Sequence, residues 1–305
     1  MDQINSEMHC HNSFSNFHQA AHDTPYDSSV GIAEQLDRSL HLGLDALFVT
    51  NHNTLSGYEE MVRYQADHDK YARIRILPAE EITTDEGAHV IAYGIHEEIR
   101  PGMSLEETID EIRRQDGVSS APHPFGLLDA LREKAGRCDL VEVFNSNNID
   151  VIANARAAEF AHERGITGVA GSDSHVISTL GRCTNVIEAE DSLDGILDAL
   201  RHGRVSIRAT GYASARETME YFRYKVDNSA EYIRDYVGEF YPRSRWIFSV
   251  LLGLFNRSPE SYLWVLMLRL GMLSMRRISK KVNFEGLDPG IMKRRSLPEM
   301  LRASL

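Results

Sequence analysis

Residues 46–53 of this chain read Ala-Leu-Phe-Val-Thr-Asn-His-Asn. A short apolar run that ends in a polar stretch is typical of a buried parallel strand followed by a loop. The pattern recurs, and segments with helical periodicity separate the successive runs. Such alternation predicts an α/β fold with a parallel β/α architecture. Strands are predicted at residues 8–11, 46–50, 75–81, 89–93, 119–123, 140–144, 167–171 and 205–207, and helices at 30–42, 55–71, 104–115 and 149–164.

Polar residues fall at or just past the carboxyl ends of different predicted strands. In β/α barrels this rim is where the loops assemble the active site. The sequence therefore predicts one shared site at this end of the barrel. The residues concerned are His11, His52, Glu81, His123, Asn145 and Asp173.

Two short motifs point to metal. In Glu7-Met8-His9-Cys10-His11, alternate strand residues point the same way, so the two imidazoles converge while Cys10 points into the barrel wall. Asp173-Ser174-His175 repeats the spacing with a carboxylate and an imidazole. Neutral imidazole suits zinc, manganese and iron alike, so the motifs favour a metal site without choosing the metal.

In order and spacing, these residues resemble the PHP (polymerase and histidinol phosphatase) superfamily of metal-dependent phosphoesterases. The resemblance covers residues 5–210 and includes the run GSDSHVISTLGRCTNVIEAEDSLDGILDALRHGRVS at 171–206. It implies a distorted seven-stranded, TIM-like β/α barrel with two or three divalent ions, Mn, Zn or Fe, of which a carboxylate bridges a pair. The implied metal ligands are His9, His11, His52, Glu81, His89, His123, Asp173 and His175.

Three positions depart from the family pattern. Glu7 and Asn51 stand where the family usually has aspartate, and both are expected to accept a hydrogen bond from a ligand imidazole. Asn16 occupies the place of a metal-binding aspartate. We therefore expect two metals rather than three.

The implied activity is phosphoester hydrolysis with a metal-activated hydroxide as the nucleophile. His123 or His175 is a candidate for protonating the leaving group, because the histidine pKa lies nearest neutrality. Arg182 is a candidate for gripping the substrate phosphate, and a solvated or salt-bridged arginine is its alternative. Asn145 is expected either to contact substrate or to cap the helix near residue 149. His18 and His22 follow the first motif and are expected to be solvated.

The favoured substrate is a nucleotide or short single-stranded oligonucleotide, as in nucleoside 3′,5′-bisphosphate phosphatases and 5′-3′ exonucleases of the family. Residues 1–200 hold 14 Lys and Arg against 35 Asp and Glu, which argues against wide grip on a duplex. The alternatives are a histidinol-phosphate-type phosphatase and a non-catalytic, metal-stabilised scaffold that acts through its C-terminal helices.

Residues 211–305 are predicted to form a helical, aromatic-rich and basic C-terminal extension. Residues 201–305 hold 19 Lys and Arg against 10 Asp and Glu. The apolar stretches at 246–255 and 262–275 are shorter than the ~20 residues that a spanning helix needs. A buried helical hairpin is the favoured interpretation, with a membrane-surface contact through 246–281 or an oligomer contact as alternatives.

The three cysteines, Cys10, Cys138 and Cys183, lie far apart, which disfavours disulfides and zinc fingers. The N-terminus has no leader pattern. We expect a cytoplasmic protein, with peripheral membrane association as an alternative.

Overall fold

A single sheet of nine strands forms the frame of the described part of the molecule. The computed structural model describes residues 1–18, 24–148 and 150–305. In space the strands follow the order β7-β6-β5-β4-β3-β2-β1-β8-β9. They are β1 (Asp2–Glu7), β2 (Ala46–Val49), β3 (Arg75–Thr83), β4 (His89–Tyr93), β5 (Val118–Ala121), β6 (Leu140–Asn145), β7 (Thr167–Gly171), β8 (Thr184–Ala189) and β9 (Val205–Ala209).

The sheet curls into a nearly closed barrel. Strands β1, β2 and β3 pair in parallel, as do β5, β6 and β7, whereas β4, β8 and β9 pair antiparallel to their neighbours. The edge strands β7 and β9 approach each other. The buried side chain of Asn185 on β8 exchanges two hydrogen bonds with the backbone of Ala170 on β7 (2.9 and 2.7 Å). This amide links the sheet where strand pairing is interrupted.

The barrel class that the sequence predicts is confirmed, but the count of seven strands is wrong, because the described residues form nine. Strand β8 was not predicted, and the first strand lies at Asp2–Glu7 rather than at 8–11. Strand β1 contains few apolar residues, since its buried Asn5, Ser6 and Glu7 are polar. Counting apolar residues therefore placed the strand too late.

The barrel helices lie close to the predicted segments. They are α1 (Ile32–Leu42), α2 (Ser56–Ala66), α3 (Leu105–Arg114), α4 (Val151–Arg164) and α5 (Leu193–Arg201), of which α5 was not predicted. A capping box between Ser104 and Glu107 begins α3, and the Asp150 carboxylate caps α4. Residue 149, where a helix start was predicted, lies outside the described residues.

Four helices follow the barrel: α6 (Ala215–Phe240), α7 (Arg245–Arg257), α8 (Tyr262–Phe284) and α9 (Leu297–Ser304). They begin close to the predicted boundary at residue 210, although the division into two domains stays a prediction. Along α7 only Phe255 is buried, so the expectation of a buried hairpin is wrong. Among the described helices, none combines the length and hydropathy needed to cross a membrane.

Candidate metal centre

The polar residues that the sequence placed at strand ends meet at one rim of the barrel. His9 and His11 follow β1, His52 follows β2, and Glu81 lies in β3. Strand β4 runs antiparallel to β3, so its first residue, His89, pairs with Thr83 and reaches the same rim. Asp173 and His175 follow β7, and His123 follows β5. All eight predicted metal ligands are therefore near one another.

Two imidazole nitrogens and two carboxylate oxygens lie close together at the centre of this cluster. His9 Nε2 and His11 Nε2 lie 3.2 Å apart. Asp173 Oδ1 is 3.4 and 3.3 Å from these nitrogens, and Glu81 Oε2 is 3.4 and 3.2 Å from them. Tetrahedral ligands at ~2.0–2.1 Å from a metal are separated by roughly 3.3 Å. These five distances are those expected between metal ligands, and His9, His11 and Asp173 offer ligand atoms that all lie within 4.8 Å of one another.

Hydrogen bonds to the other ring nitrogens fix the tautomers. His9 Nδ1 lies 3.0 Å from Glu142 Oε1, His11 Nδ1 lies 3.0 Å from Ser15 Oγ, and His175 Nδ1 lies 2.9 Å from the Asp173 carbonyl. Each Nδ1–H donates to an oxygen, which leaves the Nε2 lone pair directed into the cluster. This is the arrangement of metal-ligating histidines.

Glu81 connects this group to a second one. Its Oε1 lies 3.1 Å from His89 Nδ1 and 3.1 Å from His123 Nε2, while its Oε2 lies 3.3 Å from His52 Nδ1. His52, Glu81 and His89 place ligand atoms within 4.8 Å of one another. One carboxylate thus faces two possible cation positions, as a bridging ligand does.

A third group contains a residue that the sequence analysis missed. Asp27, His11, His52 and His175 offer ligand atoms within 4.8 Å of one another, and Asp27 Oδ2 lies 3.1 Å from His175 Nε2. In the described part of the chain, the buried atoms Asp27 Oδ2 and His52 Nδ1 make no hydrogen bond. Buried polar atoms without such partners are expected where a cation binds.

Asn16 does not point into the cluster. Its Oδ1 accepts hydrogen bonds from the backbone N–H groups of Asp27 (2.6 Å) and Ser28 (3.0 Å), and its Nδ2 donates to Tyr224 Oη (3.0 Å). Asn16 therefore positions the segment that carries Asp27. Asn16 was the only feature of the sequence that spoke against a third metal. Asp27 supplies the carboxylate that Asn16 lacks.

Glu142 is the second residue that the sequence analysis missed. Besides its contact with His9, it accepts hydrogen bonds from the backbone N–H of His123 (2.7 Å) and from Asn145 Nδ2 (2.8 Å). Its signal in the sequence is a lone carboxylate within the apolar strand Leu-Val-Glu-Val-Phe at 140–144. A buried charge in such a strand needs partners, and these are metal ligands or their neighbours.

The roles expected for Glu7 and Asn51 need correction. Glu7 contacts no imidazole of the described residues: it accepts hydrogen bonds from the hydroxyl of Ser172 and from backbone N–H groups, including that of Gly181 (3.1 Å). Burial raises the pKa of Glu7 to about 7, despite these donors. Asn51 reaches a ligand only indirectly, because its Oδ1 accepts from Ser15 Oγ (3.0 Å), which in turn meets His11.

The structure also shows where the other polar residues singled out in the sequence lie. Asn145 does not cap α4; its Nδ2 donates to Asp173 Oδ2 (3.2 Å) as well as to Glu142. Arg182 does not join the cluster, since its guanidinium pairs with Glu217 at the start of α6. Cys10 Sγ packs away from the ligands and donates to the Phe48 carbonyl. His18 is exposed, and His22 lies outside the described residues.

The backbone is strained at two of the predicted ligands. His123 and Asp173 have φ angles of 31° and 48°, in the left-handed region that non-glycine residues seldom occupy. Each such residue costs about 1–3 kcal/mol and persists only where its surroundings enforce it. Strain of this kind clusters at functional sites.

The charges of the cluster perturb one another strongly. Burial alone would raise the pKa of Glu81, but His52 and His89 hold it well below its usual range. Burial alone would lower the pKa of His11, yet hydrogen bonds to Asp173 and Glu81 raise it to about 9. The carboxylates thus require positive charge close by. Divalent cations supply that charge and displace protons from the imidazoles.

A cavity of about 270 Å³ opens above the cluster. Helix α6 closes one side of it with Tyr221 and Lys225. The Lys225 ammonium lies 3.5 Å from Asp27 Oδ1 and 4.9 Å from the centre of the Tyr221 ring. The C-terminal extension therefore brings a cation to a cavity whose other charged groups are carboxylates and histidines.

Part of the chain is similar to two curated proteins of Methanocaldococcus jannaschii. It is 35% identical to the uncharacterized protein MJ1587 over 115 residues, and 32% identical to the uncharacterized protein MJ0417 over 126 residues. These regions make up 37% and 38% of this chain. The chain spans 64% and 53% of the lengths of these relatives.

The fold resembles that of PsfC from Pseudomonas syringae. The crystal structure of that protein aligns with a TM-score of 0.51 and 19% sequence identity, over 74% of this chain and 99% of PsfC. At this identity the likeness concerns the fold alone.

A family model adds sequence support at the end of the barrel. Residues 151–205, from α4 to the start of β9, match the model PHP_C, described as PHP-associated. This stretch contains Asp173 and His175 and most of the run on which the resemblance rested. The resemblance to the PHP superfamily is therefore confirmed for residues 151–205, which match this PHP-associated model.

Proposed function

We propose that this protein is a metal-dependent phosphoesterase that hydrolyses nucleotide or short oligonucleotide phosphoesters. The observation that carries the proposal is the convergence of His9 Nε2, His11 Nε2 and Asp173 Oδ1, which lie 3.2–3.4 Å from one another. Glu81 Oε2 lies 3.4 and 3.2 Å from the two imidazole nitrogens. Imidazole and carboxylate together suit zinc, manganese and iron.

The residues fit three adjoining metal positions. His9, His11 and Asp173 would hold one ion, His52 and His89 a second, and Asp27 with His175 a third, with Glu81 between the first two. Divalent ions in such sites lower the pKa of water to produce a nucleophile, and they neutralise charge on the phosphoryl oxygens.

Two side chains of this protein would act on the substrate directly. The Lys225 ammonium lines the cavity and would bind a phosphoryl oxygen, the role that the sequence assigned to Arg182. His123 Nε2 faces the cavity beside Glu81 Oε1 and belongs to none of the three ligand groups. It is therefore freer than His175 to protonate the leaving oxygen.

The shape and charge of the cavity support a small anionic substrate. Its volume of about 270 Å³ is slightly smaller than that of typical ligand pockets, which measure ~300–1,000 Å³. A terminal phosphate with part of a nucleoside would fit this space. The acidic barrel half disfavours wide contact with a duplex.

The test is hydrolysis by manganese-loaded protein. Nucleoside 3′,5′-bisphosphates, 5′-phosphorylated oligonucleotides and histidinol phosphate are assayed for phosphate and nucleotide release. We expect turnover of a nucleotide class, loss of it in Asp173→Ala, and retention in Asp194→Ala, a matched control at an exposed aspartate on α5. Turnover of histidinol phosphate alone contradicts the nucleotide assignment. No turnover of any substrate, with metal bound, supports the scaffold alternative instead.

A further inference from the structure

Helices α7 and α8 expose an unusual amount of apolar surface. The side chains of Trp246 and Tyr262 are each 66% exposed. On α8 the exposed residues recur at the three- and four-residue spacing of one helix face. The large exposed apolar residues are Trp246, Ile247, Val250 and Leu254 on α7, and Tyr262, Leu263, Leu266, Met267, Leu270, Leu273 and Phe284 on α8.

The same segment is strongly basic. Residues 243–281 contain eight Arg or Lys and a single acidic residue, Glu260, which gives a net charge of +7 in a chain of net charge −12. All the basic side chains except Lys281 are exposed. They are Arg243, Arg245, Arg257, Arg269, Arg276, Arg277, Lys280 and Lys281.

An apolar cavity of about 530 Å³ lies between α6 and the helix pair formed by α7 and α8, called the α7–α8 hairpin below. Its walls include Phe222, Ile233, Leu251, Phe255 and Met267. A dry cavity of about 150 Å³ already binds benzene. The space between the helices therefore has ample room for part of a hydrocarbon chain.

The positive charge of the α7–α8 hairpin distinguishes among the partners that could cover its exposed apolar face. A two-fold dimer would set this surface against itself, so the positive charges of two copies would repel one another. Nucleic acid would satisfy the charge but leave the aliphatic side chains in water. An anionic lipid surface satisfies both, because apolar side chains enter the acyl region while Arg and Lys meet the headgroups.

We propose that α7 and α8 dock this protein on the surface of anionic phospholipid membranes. The helices lie in the interface rather than across it, since no described helix has the length and hydropathy to span a bilayer. Trp246 and Tyr262 are suited to the headgroup level, where amphipathic rings are enriched. The inference is independent of the catalytic activity proposed above.

The experiment is flotation of the full chain with phosphatidylglycerol vesicles, with phosphatidylcholine vesicles as the comparison. The protein should float with phosphatidylglycerol, and high salt should weaken this binding. Protein that stays at the bottom of the gradient with phosphatidylglycerol overturns the proposal.

Substitutions distinguish docking through α8 from non-specific binding to vesicles. Leu263→Glu/Leu266→Glu/Leu270→Glu changes three side chains that are 46–57% exposed, so the fold should survive. We expect its vesicle binding to fall by about tenfold or more. Val62→Glu, at a 38% exposed position on α2, should bind like the unaltered protein. Equal binding by the triple variant and Val62→Glu contradicts docking through α8.

The two tryptophans give a second readout. Trp264 is 8% exposed and Trp246 is exposed, so Trp264→Phe leaves one reporter on α7. Its emission should shift to the blue when phosphatidylglycerol vesicles are added. An unchanged emission spectrum overturns the proposal. A dimer in solution that Leu263→Glu/Leu266→Glu/Leu270→Glu dissociates, without any vesicle binding, assigns the surface to self-association and also overturns it.

Discussion

Asp27 lies eleven residues beyond the position where its family resemblance predicts a carboxylate, yet it completes a ligand group with three histidines. Asn16 allows Asp27 to take the place of a carboxylate at position 16, because the Asn16 side chain holds the backbone of the Asp27 segment in place. Burial alone would raise the Asp27 pKa, but His175 and His52 keep it well below its usual range. The carboxylate is therefore charged and ready to bind a cation.

Substitution Asp27→Asn removes this charge while keeping the shape of the side chain. We expect the protein to lose one bound ion per chain, because an amide is a far weaker ligand than a carboxylate. Elemental analysis after dialysis measures the loss, with Asp67→Asn at an exposed position as the control. An unchanged metal content would show that Asp27 is not a ligand.

Substitution Glu142→Gln tests how much the orientation of His9 matters. Removing a carboxylate behind a ligand histidine typically costs 10–100-fold in metal affinity or activity. We expect a loss of about that size in kcat/KM or in metal affinity, with the far-UV circular dichroism unchanged. Glu188→Gln, at an exposed position on β8, is the matched control. Equal activity in the two variants contradicts the role given to Glu142.

At the level of elements, α6 links the C-terminal extension to the end of the barrel that carries the candidate metal centre. Tyr221 donates to Asp27 (3.2 Å), Tyr224 meets Asn16, and Lys225 reaches the cavity from the next turn. A capping box between Ser214 and Glu217 fixes where the helix begins, and Glu217 also pairs with Arg182. The start of α6 thus sets which of its side chains face the site.

Substitution Lys225→Met keeps the aliphatic stem of the side chain and removes the charge. A hydrogen bond to a charged group contributes about 1.5–3 kcal/mol, so we expect KM to rise by about tenfold or more. Metal content should stay constant. Steady-state kinetics give the answer, and Arg216→Met on the same helix is the control. An unaltered KM would remove Lys225 from the phosphate site.

At the level of the whole molecule, the metal centre joins strands from both parallel groups of the sheet. Apart from Asp27, the residues of the three ligand groups lie in or follow β1, β2 and β3 on one side and follow β7 on the other, and His89 begins β4. A cation bound among them binds the folded state alone, because the ligands are scattered in the unfolded chain. We therefore expect metal binding and barrel stability to be coupled.

Chelation of the metal should lower the melting temperature. An ion present at 100 times its Kd stabilises the fold by about 2.7 kcal/mol. For a domain of this size that corresponds to a fall of about 5–10 °C, reversed when manganese is returned. Differential scanning calorimetry measures the shift. Asp173→Ala should respond less to the chelator, and an equal response would contradict the coupling.

The sequence by itself determined the chemistry of the centre and the class of the fold. His9, His11, Asp173 and His175 are recognisable because ligands two residues apart beside a strand point the same way, and this relation is local. The apolar runs of β2, β4 and β7 are local as well. Strand β1 was misplaced because its polar side chains find buried partners elsewhere in the chain.

Only the tertiary structure decided which distant residues complete the site and which apolar faces remain uncovered. Asp27, Glu142 and Lys225 lie in three separate elements or loops, and no spacing in the sequence relates them to His9. Their roles depend on how the sheet curls and where α6 crosses its rim. Likewise, periodicity shows that α7 and α8 have apolar faces, but burial depends on the elements that pack there. Within the described chain most of those faces remain exposed.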